Sequence, residues 1–229
     1  MLKIKQFFMS YDSEWESYSL TTNGLIALVI LMLIIMIVAA FVVDRKQKTP
    51  KLCAKQLAFS GVALALGFIT SYIKYEMPFG GSVTLFSMLF ICLIGYWYGI
   101  KAGMFAAFAY SILQFLQSGG SYFLSPFQVC CDYFFAFTAL GITGFFARKK
   151  NGLIVGYILA AFIRGLFHTI GGYIYWMDYM PESFPQSLAA IYPIVYNYAY
   201  IVIEAVITLI VISLPPVKKA LEKVKALAL

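Results

Sequence analysis

An all-α integral membrane protein is the fold class this sequence predicts, and three observations predict it. Hydrophobic residues make up 62% of the chain and charged residues only 12%, about half the ~25% of a soluble domain. Mean hydropathy is +0.84. The apolar residues fall into long runs separated by short polar breaks. A chain so poor in charge cannot cover a soluble surface, which excludes a soluble enzyme, a disordered protein and a nucleic-acid binder. The net charge of +7 then reads as cytosolic loops of a membrane protein rather than as a nucleic-acid surface.

The first run, Gly24–Val43, has 20 residues and no charge. That is enough to cross a hydrocarbon core of ~30 Å at ~1.5 Å per residue. The preceding Asp12, Glu14 and Glu16 are acidic and the run is long, so it reads as an anchor helix and not a signal peptide. A basic linker, Asp44–Lys55, follows with Pro50 inside it. Six further spans are expected at Leu57–Tyr72, Val83–Ile100, Ala102–Leu116, Phe127–Ala147, Leu153–Trp176 and Leu188–Leu214. Breaker clusters separate them: Pro78-Phe79-Gly80-Gly81-Ser82, Gly119-Gly120-Ser121, and Pro181 with Pro185. Pro215-Pro216 ends the last. The division is therefore residues 1–50, with an outer tail, the anchor helix and the linker, and residues 51–229, a six-helix membrane domain.

Topology follows from Lys and Arg. Thirteen lie on the side of the linker, Lys101, Arg148–Lys150 and the C-terminal tail; three (Lys3, Lys5, Lys74) lie on the other, and Arg164 is inside a span. Basic residues stay on the cytosolic side, so seven spans, an outer N-terminus and a cytoplasmic C-terminus are expected.

Asp132, Arg164, His168 and Glu204 fall inside predicted spans, where ionisable groups are costly and usually face a cavity or a partner. Asp132 is in the outer part of its span, and so are His168, Tyr192 and Asn197 in theirs. A carboxylate, an imidazole, a phenol and an amide from three helices thus share one depth. His168, Gly172 and Trp176 are spaced i, i+4, i+8 on one helix face, and Gly172 leaves room between the two rings. The outer loops add Tyr122, Tyr133, Tyr175 and Tyr179. An anion ringed by aromatics suits a flat cationic ligand. The alternative reading is an interfacial aromatic belt with His168 as a packed donor. Arg164 and Glu204 match in depth to within about 3 Å and read as a structural ion pair, with a proton or ion relay as the alternative.

Cys53, Cys92, Cys130 and Cys131 make no CxxC or zinc spacing with the single His168 and read as reduced, packed side chains. No HExxH, GxSxG or GxxxxGK[ST] motif and no acidic metal pair occurs, so neither catalysis nor a resident metal or cofactor is expected. Any ATP coupling has to come from a partner.

Four local strings resemble the thiamine-specific S component of energy-coupling factor (ECF) transporters: MPFGGSVT (Met77–Thr84), GGSYFLSPFQ running into CDYFFA (Gly119–Gln128, Asp132-Tyr133), FHTIGGYIYW with His168 and Trp176, and YPIVYN with Tyr192 and Asn197. The resemblance covers the six spans after the linker. It implies a six-helix S-component bundle to which Gly24–Val43 is an extra transmembrane helix. It also implies a bacterial plasma-membrane protein that captures thiamine from outside and hands it to an ECF transmembrane coupling subunit and its ATPase subunits. The implied ligand residues are Asp132, Tyr133, His168, Trp176, Tyr192, Asn197 and Tyr122. The family usually has Glu-Tyr where this chain has Asp132-Tyr133. Some members carry Trp in the first outer loop, where this chain has Gly81 with Phe79 and Tyr75 nearby. The implied docking face on the first family helix is Ala54, Ala58, Gly61 and Ala65, small residues that let helices approach closely in lipid. A stand-alone ion-coupled vitamin carrier and a non-transport membrane scaffold are the rival readings. Phosphate groups are unwelcome beside Asp132, which favours the unphosphorylated vitamin.

Overall fold

Each of the six spans predicted after the linker contains a helix. The computed structural model describes residues 7–12, 17–24, 26, 27, 30, 34, 53–77, 81–120, 123–147 and 149–229. Of the expected anchor Gly24–Val43, only residues 24, 26, 27, 30 and 34 are described, and these are helical. The rest of that span and the linker up to residue 52 lie outside the described residues.

Two antiparallel hairpins were not expected from an all-α reading. Strand β1 (Met9–Asp12) pairs with β2 (Ser17–Leu20) near the N-terminus. Helix α1 (Ala54–Ser71) then leads into β3 (Lys74–Glu76), which pairs with β4 (Ser82–Thr84). Each strand is too short to show an alternating pattern, and only the pairing defines it. Helix α2 (Ser87–Tyr98) has 12 residues, about 18 Å at the helical rise and short of a full bilayer. It ends at Gly99, whose φ of +87° lies in the region favouring glycine. Helix α3 (Ile100–Gln117) starts directly after it.

Helix α4 (Pro126–Phe146) is not uniform. It opens as α-helix with Pro126 in its first turn and Ser125 as cap, since Phe127 N–H donates to Ser125 Oγ. It widens to π-helix over Cys130–Phe135 and tightens to 3₁₀ over Ala139–Phe146. Helices α5 (Gly152–Tyr175) and α6 (Tyr192–Ser213) follow, with short 3₁₀ turns at Met177–Tyr179 and Gln186–Ile191 between them. Among the described residues, four helices, Ala54–Ser71, Pro126–Phe146, Gly152–Tyr175 and Gln186–Ser213, are long and apolar enough to cross a membrane. The prolines at 215 and 216 do end α6, but a further helix, α7 (Pro215–Ala228), replaces the expected plain tail.

The interior is built on α2, α3 and α4. A side chain on Gly103 would meet Gly95 Cα at 2.7 Å, and one on Gly141 would meet Met104 Cα at 2.6 Å. These backbones touch because nothing larger than hydrogen intervenes, the association mode available where lipid supplies no hydrophobic drive. Met88, Ile91, Cys92, Ile94, Tyr110 and Leu140 fill the buried centre. Large apolar residues such as Val62, Leu66, Phe162, Leu166, Val206 and Ile210 face outward, as a lipid-facing surface permits.

Candidate ligand site in the cavity

The site starts from the non-uniform helix. Asp132 sits inside the π segment of α4, a distortion that recurs at functional positions. One turn before it, Gln128 is 1% exposed and donates Nε2–H to Asp132 Oδ2 at 2.6 Å. The Gln128 Oε1 accepts the Leu124 N–H at 3.2 Å, so this amide is fixed at both ends. At the far end of α5, Trp176 donates Nε1–H to the same Asp132 Oδ2 at 3.1 Å. His168 Nδ1 lies 3.6 Å from Asp132 Oδ1. The carboxylate is thus already faced by three donors from two helices, in a side chain only 16% exposed.

Glycine makes this closeness possible. A Cβ at Gly171 would stand 2.8 Å from Asp132 Oδ1, and one at Gly172 would stand 2.9 Å from Pro193 Cβ and 3.0 Å from Asn197 Nδ2. Two adjacent glycines on α5 let α4 press in on one side and α6 on the other. Gly172 lines the cavity with His168 and Trp176, and α6 packs closely against it there. Asn197 Nδ2 donates to Pro193 O at 2.8 Å, and its Oδ1 accepts the Tyr200 hydroxyl at 2.9 Å.

These residues line a cavity of ≈ 170 Å³. One buried water needs about 10–15 Å³ on that measure, so the space suits an organic ligand. Six of the seven expected ligand residues meet there: Asp132, Tyr133, His168, Trp176, Tyr192 and Asn197. The seventh, Tyr122, lies outside the described residues. The Tyr133 ring stacks edge-on to Phe115 at 5.3 Å, Tyr192 lies 5.8 Å from Tyr196, and Tyr179 lies 5.3 Å from Trp176. Tyr175 instead reaches Ser125, hydroxyl to hydroxyl at 3.1 Å, and does not line the cavity.

Arg164 and Glu204 correct the sequence reading. They form no ion pair among the described residues. Arg164 turns into the cavity, where its Nε–H donates to His168 Nε2 at 3.4 Å and its guanidinium sits 4.5 Å from the Phe137 ring centre. That bond places a hydrogen of His168 on Nδ1, toward Asp132. Glu204 turns instead to the β3–β4 hairpin. Its Oε2 accepts Thr84 N–H at 3.0 Å and Thr84 Oγ1–H at 2.7 Å, and its Oε1 accepts Met88 N–H at 3.4 Å. It is a buried carboxylate at the start of α2, where unpaired N–H groups favour an anion. A matching depth, read from residue counts, says nothing of the direction around the helix.

Gly81 and Ser82, at the start of β4, form part of the cavity wall. Gly81 N–H donates to the Tyr196 hydroxyl at 3.4 Å, and a Cβ there would meet Tyr200 Cε1 at 2.7 Å. No bulkier residue fits at Gly81 without moving a ring. Tyr75, considered as its aromatic substitute, is 73% exposed and away from the cavity, and Phe79 lies outside the described residues.

Residues the sequence reading missed are Gln128, Gln114, Gln117 and Ser118, all on the cavity wall. Gln114 Nε2 donates to Ser71 Oγ at 3.0 Å and to Gln117 Oε1 at 2.8 Å, which ties the C-terminal ends of α1 and α3 together. The four-residue spacing of Gln128 and Asp132 was a usable signal. Away from the cavity, Ala54, Ala58, Gly61 and Ala65 are all exposed on α1, and a Cβ at Gly61 would meet nothing within 4 Å among the described residues.

Residues 57–224 match the family model described as thiamine transporter protein (Thia_YuaJ). The chain belongs to this thiamine transporter family. It is 32% identical over 172 residues to the thiamine transporter ThiT of Bacillus subtilis, covering 69% of this chain and 87% of that one. It is 21% identical over 169 residues to the thiamine transporter ThiT of Lacticaseibacillus paracasei, covering 67% and 83%. The solved structure of ThiT from Listeria monocytogenes superposes with a TM-score of 0.56 at 21% identity, over 70% of this chain and 94% of that one. The fold is thus the helical membrane fold of this family, and the region before residue 57 stands outside the family match.

Proposed function

We propose that the chain is the substrate-binding subunit of a thiamine uptake system, a carrier part and not an enzyme. It captures thiamine from outside and delivers it to an ATP-driven ECF module. The observation that carries this reading is the Asp132 carboxylate at the wall of a vitamin-sized cavity in a thiamine-transporter fold. Thiamine combines a permanent thiazolium cation with an aminopyrimidine that donates hydrogen bonds. A carboxylate in low dielectric gains more from such a partner than it does in water. His168, Asn197 and the Tyr192 hydroxyl supply polar contacts, and the Trp176 and Tyr133 rings supply faces for a cation. The bias of basic residues supports an outward-facing cavity and a cytoplasmic C-terminus.

Calorimetry of the purified protein against a panel of water-soluble vitamins tests this. Saturable binding of thiamine alone is expected. Binding of a different vitamin in preference, or of none, overturns the assignment. ATP-independent uptake by vesicles holding only this chain would replace the ECF reading with a stand-alone carrier.

Binding is expected to quench tryptophan emission. Trp97 is buried against Phe59 in the core, whereas Trp176 lines the cavity. The quenching should vanish in Trp176→Phe, and its persistence would remove Trp176 from the ligand contacts.

The exposed small-residue stripe of α1 supports docking of the coupling subunit there. Gly61 is exposed and a Cβ there would meet nothing within 4 Å among the described residues, so Gly61→Leu extends from an open face. Ligand affinity should stay within about twofold, while uptake in cells holding the whole transporter falls to background. Parental uptake by Gly61→Leu would remove this face as the docking surface.

A further inference from the structure

The C-terminal helix α7 carries more apolar surface than the bundle covers. Val217, Leu221, Lys225 and Ala228, spaced four, four and three, form its inner face. Ala228 is buried, Leu221 packs on the core, Tyr98 donates its hydroxyl to Ala228 O at 3.2 Å, and Lys225 Nζ lies 4.0 Å from the Tyr96 ring centre. These contacts pin the helix against the ends of α1, α2 and α6. Immediately beside this face runs a second apolar stripe, Ala220, Val224 and Leu227, which is exposed, with Leu227 at 63%. Exposed lysines at 218, 219 and 223 occupy the rest of the circumference, against a single Glu222. An apolar stripe flanked by lysines at the end of a membrane bundle is the pattern of a helix lying in the bilayer interface. The lysine stems cover apolar surface while their ammonium groups reach outward.

We infer that α7 is an interfacial helix that docks on acidic phospholipid, with Ala220, Val224 and Leu227 against the acyl boundary and Lys218, Lys219 and Lys223 on the headgroups. The charge decides the occupant: a neutral leaflet offers the lysines nothing, whereas an acidic one supplies a counter-ion for each. Every lysine held at such a surface raises the docked-to-undocked ratio roughly fivefold.

The test uses the full chain in phosphatidylcholine bilayers with and without phosphatidylglycerol. Cys53 and Cys130 are replaced by serine, and an environment-sensitive fluorophore is attached at Leu227→Cys or, for comparison, at Glu222→Cys. The label at 227 should become protected from aqueous iodide when phosphatidylglycerol is present, while the label at 222 stays quenchable. The combined Lys218→Gln, Lys219→Gln and Lys223→Gln variant should lose that lipid dependence. These lysines are exposed, so thermal melting should match the parent and show that the fold is intact. A label at 227 that is quenched equally in both bilayers overturns the proposal. So does protection that ignores both lipid charge and the lysines, since the stripe then only packs on protein. Protection that needs added transporter subunits assigns the face to a protein partner instead.

Discussion

Asp132→Asn is expected to weaken thiamine binding by about 10- to 150-fold, the loss of a charge-assisted contact worth roughly 1.5–3 kcal/mol. The structure says why the fold should survive the change. Gln128 and Trp176 both donate to Oδ2, and the carbonyl oxygen of asparagine serves both. Its amide then points to the other side, where His168 Nδ1 stands 3.6 Å from Oδ1. Two donors then face each other there, and the charge that the thiazolium needs is gone. Titration calorimetry gives the affinity and thermal melting the control. A neutral pyrimidine analogue should lose less if the carboxylate acts on the thiazolium, and equally if it accepts from the aminopyrimidine. An Asp132→Asn protein that binds thiamine as tightly as the parent would show the residue to be structural. Asp132→Glu tests the other direction. Oδ1 already fills the space left by Gly171, so the added methylene has to extend into the cavity, and its tolerance reports the room there.

Glu204→Leu should be the most damaging single change to stability that leaves the ligand-facing residues untouched. It strands two donors, Thr84 N–H and Met88 N–H, in a position where Glu204 is 2% exposed, while the Thr84 hydroxyl keeps Ser87 Oγ as a partner. Each buried group left without a partner costs about 1–3 kcal/mol. The melting midpoint in detergent should drop sharply. Affinity should fall as well, because β4 leads from the Gly81–Ser82 wall of the cavity. Glu204→Gln keeps one carbonyl acceptor and should lie between Leu and the parent. Melting unchanged in Glu204→Leu would mean that the hairpin is held by its other contacts, such as Gly81 on Tyr196.

The helical spans were legible because lipid demands long apolar runs with every backbone group paired internally, and nothing else in a chain of this composition looks like that. The depth of each polar residue was legible for the same reason: a charge inside an apolar run stands out, and counting residues places it along the axis. That is how Asp132, His168, Tyr192 and Asn197 could be assigned to one layer before any coordinates. Direction around the axis was not legible. Residue counts put Arg164 and Glu204 at one depth, yet one turns to His168 and Phe137 and the other to Thr84 and Met88. Which neighbour a side chain meets depends on helix rotation and on how closely two backbones approach. That approach is decided by glycines such as Gly171, Gly172 and Gly81, whose missing side chains carry no pattern of their own. The β3–β4 hairpin escaped for a related reason, since three residues per strand exist as strands only through their pairing. The basic tail became a packed helix because Val217, Leu221 and Ala228 find α1, α2 and α6 waiting; a period of 3.6 in so short a segment acquires meaning only when a surface is there to receive it.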